Sequence, residues 1–312
     1  MSWKILIADG LEEKGQAMLR AQAQVEDRNG ISAQELRSIL PEFDALIVRS
    51  RTRVTAELLE HAARLKVIGR AGVGVDNIDL DAARAHGIIV VNSPLATTVA
   101  VAELTMGLLL ATARAIPRAD AAMKQGKWLK KELEGIELQG KTLGLIGFGR
   151  IGREVAHRAL AFGMRILAYD PLIPEDVIRQ ANVTPSSLGT LLQHSDFISL
   201  HIPLTDETRN LLSTQAFAQM KTGVRLICTA RGGIIDEQAL LQALKEGKVA
   251  AAALDVFAVE PPALNELITH PNLIATPHIG AQTVEAQTRA AEMIAEEVLA
   301  ALRGEPLRWR VV

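Results

Sequence analysis

Short runs of aliphatic and β-branched residues alternate with longer amphipathic stretches from one end of the 312-residue chain to the other. That alternation predicts parallel strands joined by helical crossovers, an α/β class. In the first third, strand-like runs occur at Lys4–Ala8, Ala45–Arg49, Val67–Arg70 and Ile88–Asn92. Between them a helical period predicts helices at Glu12–Ala21, Ala33–Leu40, Ala56–Ala63 and Asp81–Ala85, the last closed by His86-Gly87. A second series begins at Lys141, with strands expected at Thr142–Gly147, Arg165–Tyr169, Phe197–Leu200, Val224–Thr229, Ala251–Asp255 and Leu273–Ala275, a six-strand nucleotide-binding layout. One helical stretch from about Thr98 to Lys124 joins the two series, and a tail helix over Ala281–Leu302 is long enough to return to the first. The expectation is therefore two doubly wound parallel-sheet domains. Residues 1–97 and 281–312 form a smaller, discontinuous, flavodoxin-like substrate domain, and residues 98–280 a Rossmann-type domain inserted in it, with a ligand cleft between them.

Composition narrows the function. Apolar residues make up 48% and charged residues 22%, as in a packed globular chain rather than a disordered one. With 34 basic and 36 acidic side chains the net charge is -2, so no global field favours nucleic acid or an anionic membrane, and recognition of an anion has to be local. The single cysteine, Cys228, lies in the apolar run Val224–Cys228 and has no intramolecular partner, which points to a reducing compartment. The chain enters its first strand without a leader-like segment, and a cytoplasmic location is expected. The most apolar window, Val99 to Ile116, contains Glu103 and Arg114 and reads as a buried helix rather than a membrane span. No metal site is expected.

The first chemistry-bearing motif is G-x-G-x-x-G at Gly147, Gly149 and Gly152, after an apolar strand and before an expected helix at Arg153–Ala161. Gly147 permits the tight turn, Gly149 lets backbone approach a pyrophosphate, and Gly152 lets helix and strand pack closely, while the helix start offers amides to the anion. Glycines alone also suit a plain flexible turn. Asp170, about 20 residues on at the end of the next strand, decides for a dinucleotide, because a carboxylate there accepts from the adenosine ribose hydroxyls. The next residue is Pro171 rather than a cation, so NAD is favoured over NADP.

Three further segments begin at the carboxyl ends of expected strands, where open α/β sheets bind ligands: Thr229 to Gly233, Asp255 to Pro262 and Thr276 to Gly280. Chemistry at C2 of a 2-hydroxy acid needs a base for the hydroxyl proton, a cation for the carboxylate and a group that holds the base. His278 suits the first task, Arg231 the second as a planar fork, and Glu260 the third, by hydrogen-bonding the other ring nitrogen. Taken singly, each has an ordinary reading as a solvated loop or capping residue. Their placement on successive strand ends favours the functional one.

The stretches Gly69 to Asp79, Gly147 to Ala156, Ala230 to Glu237 and Ala253 to Phe257 carry a resemblance. Over nearly its whole length the chain resembles the D-isomer-specific 2-hydroxyacid dehydrogenases, and within them most resembles the phosphoglycerate dehydrogenases. The resemblance implies that Arg231, Glu260 and His278 are the catalytic set, and that the Arg70–Gly74 loop presents the amides of Val73 and Gly74 to the substrate carboxylate. It further implies cofactor contacts from Arg150 and Ile151 at the pyrophosphate, Asp170 at the ribose, and His201, Ile202 and Pro203 beside the adenosine half. Thr229, Ala230, Asp255 and Gly280 would lie around nicotinamide. His201 reads as positional rather than acid–base. Arg49 and Arg51 resemble the basic element that meets a substrate phosphate, and two guanidinium forks suit a dianion.

The implied activity is NAD-dependent oxidation of D-3-phosphoglycerate to 3-phosphohydroxypyruvate, by a homodimer formed through the helical stretch around Leu104–Trp128. Domain closure would hinge near Ala96–Thr98 and Gly280–Ala281. Alternatives are a glyoxylate or hydroxypyruvate reductase using the same residues and, from another class, a non-catalytic NAD-sensing binding protein. The chain departs from the family's pattern at Thr97 and Ala100, where Asn and Ser are frequent, and at Val73, often Thr or Ser. The resemblance ends at Val312 without the C-terminal regulatory extension of longer relatives, so a short form without serine feedback is expected.

Overall fold

The structure, a computed structural model, describes residues 2–312. In chain order its elements begin β1 (Trp3–Ile7), α1 (Glu13–Arg20), β2 (Ala23–Asp27), α2 (Ala33–Ile39), β3 (Ala45–Val48), α3 (Ala56–Leu59), β4 (Val67–Arg70), α4 (Leu80–Ala85) and β5 (Ile89–Asn92). There follow α5 (Thr98–Arg114), α6 (Ile116–Lys124), β6 (Thr142–Ile146), α7 (Arg150–Ala161), β7 (Arg165–Tyr169), α8 (Glu175–Gln180), β8 (Thr184–Pro185), α9 (Leu188–His194), β9 (Phe197–Leu200), α10 (Thr214–Gln219), β10 (Val224–Cys228), α11 (Glu237–Lys245), β11 (Val249–Leu254), β12 (Leu273–Ala275) and α12 (Val284–Arg303). Two compact units result, one running to Thr98 and resuming at Ala281–Val312, the other Val99–Gly280.

The first unit is a five-stranded parallel sheet of order β2-β1-β3-β4-β5. Its central strands are buried on both faces: Ile5, Leu6, Ile7, Leu46, Ile47 and Ile68 are all 0% exposed. They therefore read in sequence as unbroken apolar runs rather than as an alternation. One face is covered by α12, whose Ile294, Ala295, Val298 and Leu299 share a core with Ile5, Ile7, Ile47 and Val67. The chain after α12 stays on the same unit, because Val311 donates to Val90 O at 2.7 Å and the buried Glu297 carboxylate accepts from the amides of Arg308 (3.3 Å) and Trp309 (3.1 Å). The sequence reading missed β2. Its run, AQVED, has one large apolar residue, as suits a charged edge strand that only β1 pairs with.

The second unit is a seven-stranded parallel sheet of order β12-β11-β10-β9-β6-β7-β8, one strand more than the six expected. The added strand is the two-residue β8 at the edge, too short to leave a periodic signal. From β6 onward this is the doubly wound Rossmann order, with the strand order reversing between β6 and β9. The expected continuous helix over 98–124 is instead two, α5 and α6, bent by 65°. Ala115 between them is left-handed (φ 48°), and Pro117 lies in the first turn of α6, where a proline costs no hydrogen bond. Among the described residues no single helix is long and apolar enough to cross a membrane.

Close helix packing fixes the first unit. A Cβ on Gly15 of α1 would stand 2.6 Å from Ala291 O of α12, so Gly15→Ala has to push the helices apart. We expect a loss of about 1–3 kcal/mol in urea unfolding; an unchanged midpoint would show that this contact has slack.

Candidate active site

The glycine loop connects β6 to α7 at the point where the strand order reverses. Gly147 has φ +99°, and a Cβ there would stand 2.5 Å from His201 O, the residue after β9. His201 N in turn donates to Ile146 O at 2.8 Å, so the two loops at the reversal are joined by backbone. Gly152 packs directly over Gly147 O, where a Cβ would overlap it, whereas nothing stands within 4 Å of the same point on Gly149. Helix α7 begins at Arg150, three residues earlier than expected, so Arg150, Ile151 and Gly152 form its first turn. No side chain among the described residues caps that start, which suits an anion. Asp170, after β7, accepts from the amides of Phe148 (2.8 Å) and Leu172 (2.9 Å), holding its carboxylate beside the glycine loop. Ile202 packs against Gly147, and Pro203 O accepts from the Thr208 hydroxyl at 2.7 Å.

Three adjacent strands, β10, β11 and β12, deliver the acid–base candidates. His278 Nδ1 lies 2.8 Å from Glu260 Oε2, and Glu260 Oε1 accepts from Phe257 N at 3.1 Å, so both carboxylate oxygens are held. The two side chains are 46% and 36% exposed, and His278 Nε2 makes no hydrogen bond among the described residues, which leaves it open to a ligand. His278 itself is left-handed (φ 51°), its amide donating to Asp255 O (2.9 Å) and Thr276 O (3.0 Å). Non-glycine residues persist there only when their surroundings fix them. Asp255 does so. It is 1% exposed, and its carboxylate accepts from the Thr276 hydroxyl (2.6 Å), Ile279 N (2.8 Å) and Gly280 N (2.8 Å). Asp255 and Gly280, both expected around nicotinamide, are thus bound to each other.

Arg231 follows β10, with Nη1 donating to Ala230 O at 2.7 Å. Its loop is mated to the one carrying Glu260. A Cβ on Gly232 would overlap Phe257 O, and Glu237 Oε1 accepts from Ala258 N at 2.7 Å. The buried Thr229 hydroxyl meets that of Thr105 at 3.0 Å. Cys228 beneath is 1% exposed, and burial pushes its thiol up to about 11, so it packs as an inert apolar group.

The remaining candidates belong to the first unit. The loop after β4 is tied by Asn92 Nδ2 to Val73 O (2.7 Å) and by Ser93 N to Gly72 O (3.0 Å), with Val73 exposed and Gly74 half-buried beside it. Arg49 and Arg51 are not the equal pair that the sequence suggests. Arg51 donates to Asp9 Oδ1 (3.1 Å), Ile31 O (3.3 Å) and Ala8 O (2.8 Å), which makes it a tie within the fold. The Arg49 guanidinium makes no such bond among the described residues; its amide donates to Asp9 Oδ2 at 2.7 Å.

Comparison with known proteins adds to this geometry. Residues 106–280 match the model described as "D-isomer specific 2-hydroxyacid dehydrogenase, NAD binding domain". The chain belongs to this family. It is 52% identical over 303 residues to a D-3-phosphoglycerate dehydrogenase of Methanocaldococcus jannaschii, covering 97% of this chain but 58% of that protein, so it spans little more than half of that relative's length. It is 50% identical to a hydroxypyruvate reductase of Thermotoga maritima, covering 95% of this chain and 97% of that one. The crystal structure of TT0316 protein from Thermus thermophilus superposes with a TM-score of 0.91 at 39% identity, covering 99% and 100% of the two chains.

The larger unit is accordingly the family's NAD-binding domain, and its loop fits the cofactor: open space above Gly149, an uncapped helix start and a carboxylate at Asp170. Two supports of these loops leave no signal in the sequence. Asp9, 8% exposed after β1, holds Arg51, Thr52 and the Arg49 amide; burial alone would raise its pKa, but hydrogen bonds from Thr52, Arg49 and Arg51 outweigh it and hold the carboxyl below its usual range. Glu237 sits in a helix-start pattern that looks like an ordinary first-turn acid, and nothing local announces its reach to Ala258.

His201 carries a pH signature. Its Nε2 meets the Ser199 hydroxyl at 2.9 Å, its Nδ1 is buried without a partner, and desolvation lowers its pKa from 6.5 to about 4. The ring is therefore neutral at physiological pH. Between those two values the unfolded chain binds the extra proton, so stability is full above pH 6.5 and falls as the pH drops toward 4, by about 3 kcal/mol in all. Urea unfolding of His201→Gln from pH 7 to 4.5 should lack this component, and curves that run parallel to the parent's would show His201 solvated.

Proposed function

We propose that the chain catalyses NAD-dependent oxidation at C2 of a D-2-hydroxy acid, with D-3-phosphoglycerate as the leading substrate and 3-phosphohydroxypyruvate as product. The observation that carries this is the 2.8 Å pair of His278 and Glu260 at the carboxyl edge of an NAD-binding sheet. With Nδ1 committed to Glu260, the imidazole offers Nε2 to the substrate and accepts the C2 hydroxyl proton there. Glu260 holds the ring's tautomer and orientation, and Asp255 fixes the loop backbone. Arg231 takes the carboxylate through its fork, with the Val73 and Gly74 amides as further donors. NAD, when bound, supplies the acceptor for the hydride leaving C2.

A second reading, reduction of hydroxypyruvate or glyoxylate by the same residues, is favoured by the Thermotoga relative, which matches end to end. Arg49 discriminates between the two. We assign the substrate phosphate chiefly to Arg49, since Arg51 is engaged with Asp9. We also propose a homodimer through the segment around Leu104–Trp128, where Ile116 (51%), Met123 (56%) and Trp128 (75%) expose apolar surface, and a reducing cytoplasm as the setting for a lone buried cysteine.

His278→Ala should lower turnover by about 100-fold or more and leave the dissociation constant for NAD unchanged, in steady-state kinetics paired with calorimetry. Turnover that survives the change removes His278 as the base. Arg49→Ala should reduce kcat/KM for 3-phosphoglycerate by about tenfold or more while sparing glyoxylate. Equal losses on both would end the phosphate assignment. A panel of 3-phosphoglycerate, D-glycerate, D-lactate and glyoxylate with NAD(H) and NADP(H) decides between the two readings.

A further inference from the structure

The opposite edge of the larger sheet holds a feature that the hydride chemistry does not use. The amino-terminal ends of β9, β6 and β10, neighbours in the sheet, open onto a cavity of ≈ 200 Å³ lined among others by Ile136, Lys141, Asp196, Lys221, Gly223 and Arg225. The strands separate it from the glycine loop by about 15 Å.

Three of those side chains are cations and one is a carboxylate. Asp196 is fully accounted for, accepting from Thr142 N at 2.8 Å and from Lys221 Nζ at 2.9 Å. Burial alone would raise its pKa, but these bonds and the charges of Lys221 and Lys141 outweigh it and keep it ionised. Lys141 and Arg225 have no carboxylate of their own among the described residues. Arg225 reaches only the backbone carbonyls of Thr112 (3.3 Å) and Gly223 (3.4 Å) and lies over the Phe197 ring, 5.8 Å from its centroid. It is half-buried, and desolvation pulls its pKa below the usual guanidinium value. A guanidinium partly removed from water without a counter-charge carries a free-energy cost that an anion would relieve.

We propose that this cavity is a binding site for a phosphate dianion, either free or as the terminal group of a small ester. The charges match: three cations less one carboxylate leave an excess of two. A planar fork at Arg225 and a point charge at Lys141 are the two forms of donor that phosphate takes. The volume is several times the share of about 30 Å³ that one water occupies, so the ion fits with a short organic substituent. The site shares no residue with the proposed hydride-transfer or substrate-phosphate machinery.

The test is calorimetric titration of the NAD-saturated protein, so that the pyrophosphate site is filled, with inorganic phosphate and separately with propyl phosphate. We expect one phosphate per chain, weakened about tenfold or more by Lys141→Gln and by Arg225→Met, and unchanged by Arg49→Ala, which separates this site from the substrate phosphate. Lys141 makes no side-chain hydrogen bond among the described residues, so its variant keeps the test valid if Arg225→Met fails to fold. Binding of the ester with the same dependence assigns the source to small metabolites, and binding of inorganic phosphate alone assigns it to the free ion; both support the site. Absence of phosphate binding, or binding indifferent to both substitutions, overturns it.

Discussion

The hydrogen bond between His278 and Glu260 is the constraint on which the proposed chemistry turns, and it is secured from outside the pair. His278 occupies a left-handed backbone conformation that an imidazole side chain does not favour, and it stays there because Asp255 is buried beneath with three donors converging on its carboxylate. Glu260 is held by the Phe257 amide, and the turn that carries it is clasped by Gly232 on one side and Glu237 on the other. Each side chain of the proposed pair is thus placed by backbone that a different residue fixes, the arrangement that preorganised acid–base chemistry requires.

Parallel sheets supply the frame. Because their strands are covered on both faces, the polar groups that matter are driven to the strand ends, and the carboxyl edge collects them. In the larger unit the order of the strands brings the loops after β6 and β9 together at the reversal, and places the loops after β10, β11 and β12 side by side. The amino-terminal edge, built from the same strands, gathers a different set of charges around a cavity of its own.

Much of this was legible in the sequence. Buried strands such as Ala45–Val48 and Val67–Arg70 announce themselves as apolar runs, and the glycine positions follow from backbone approaches that no side chain permits. What stayed hidden is physical in origin. The edge strands β2 and β8 bury too little for a period to appear, and the break at Ala115 depends on one residue's backbone that composition does not reveal. At the candidate site the three side chains proposed for the chemistry stand out in the sequence because their types suit it. Asp9, which commits Arg51 to the fold, and Glu237, which reaches Ala258 from another loop, act through tertiary contacts that no local pattern encodes.

The central claim is that Glu260 holds the ring of His278 by Nδ1 and leaves Nε2 as the proton acceptor. Nitrogen-15 NMR of histidine-labelled protein at a pH where His278 is neutral reads this tautomer directly. The proton is expected on Nδ1, with Nε2 bare. A neutral His278 protonated on Nε2 would contradict the account.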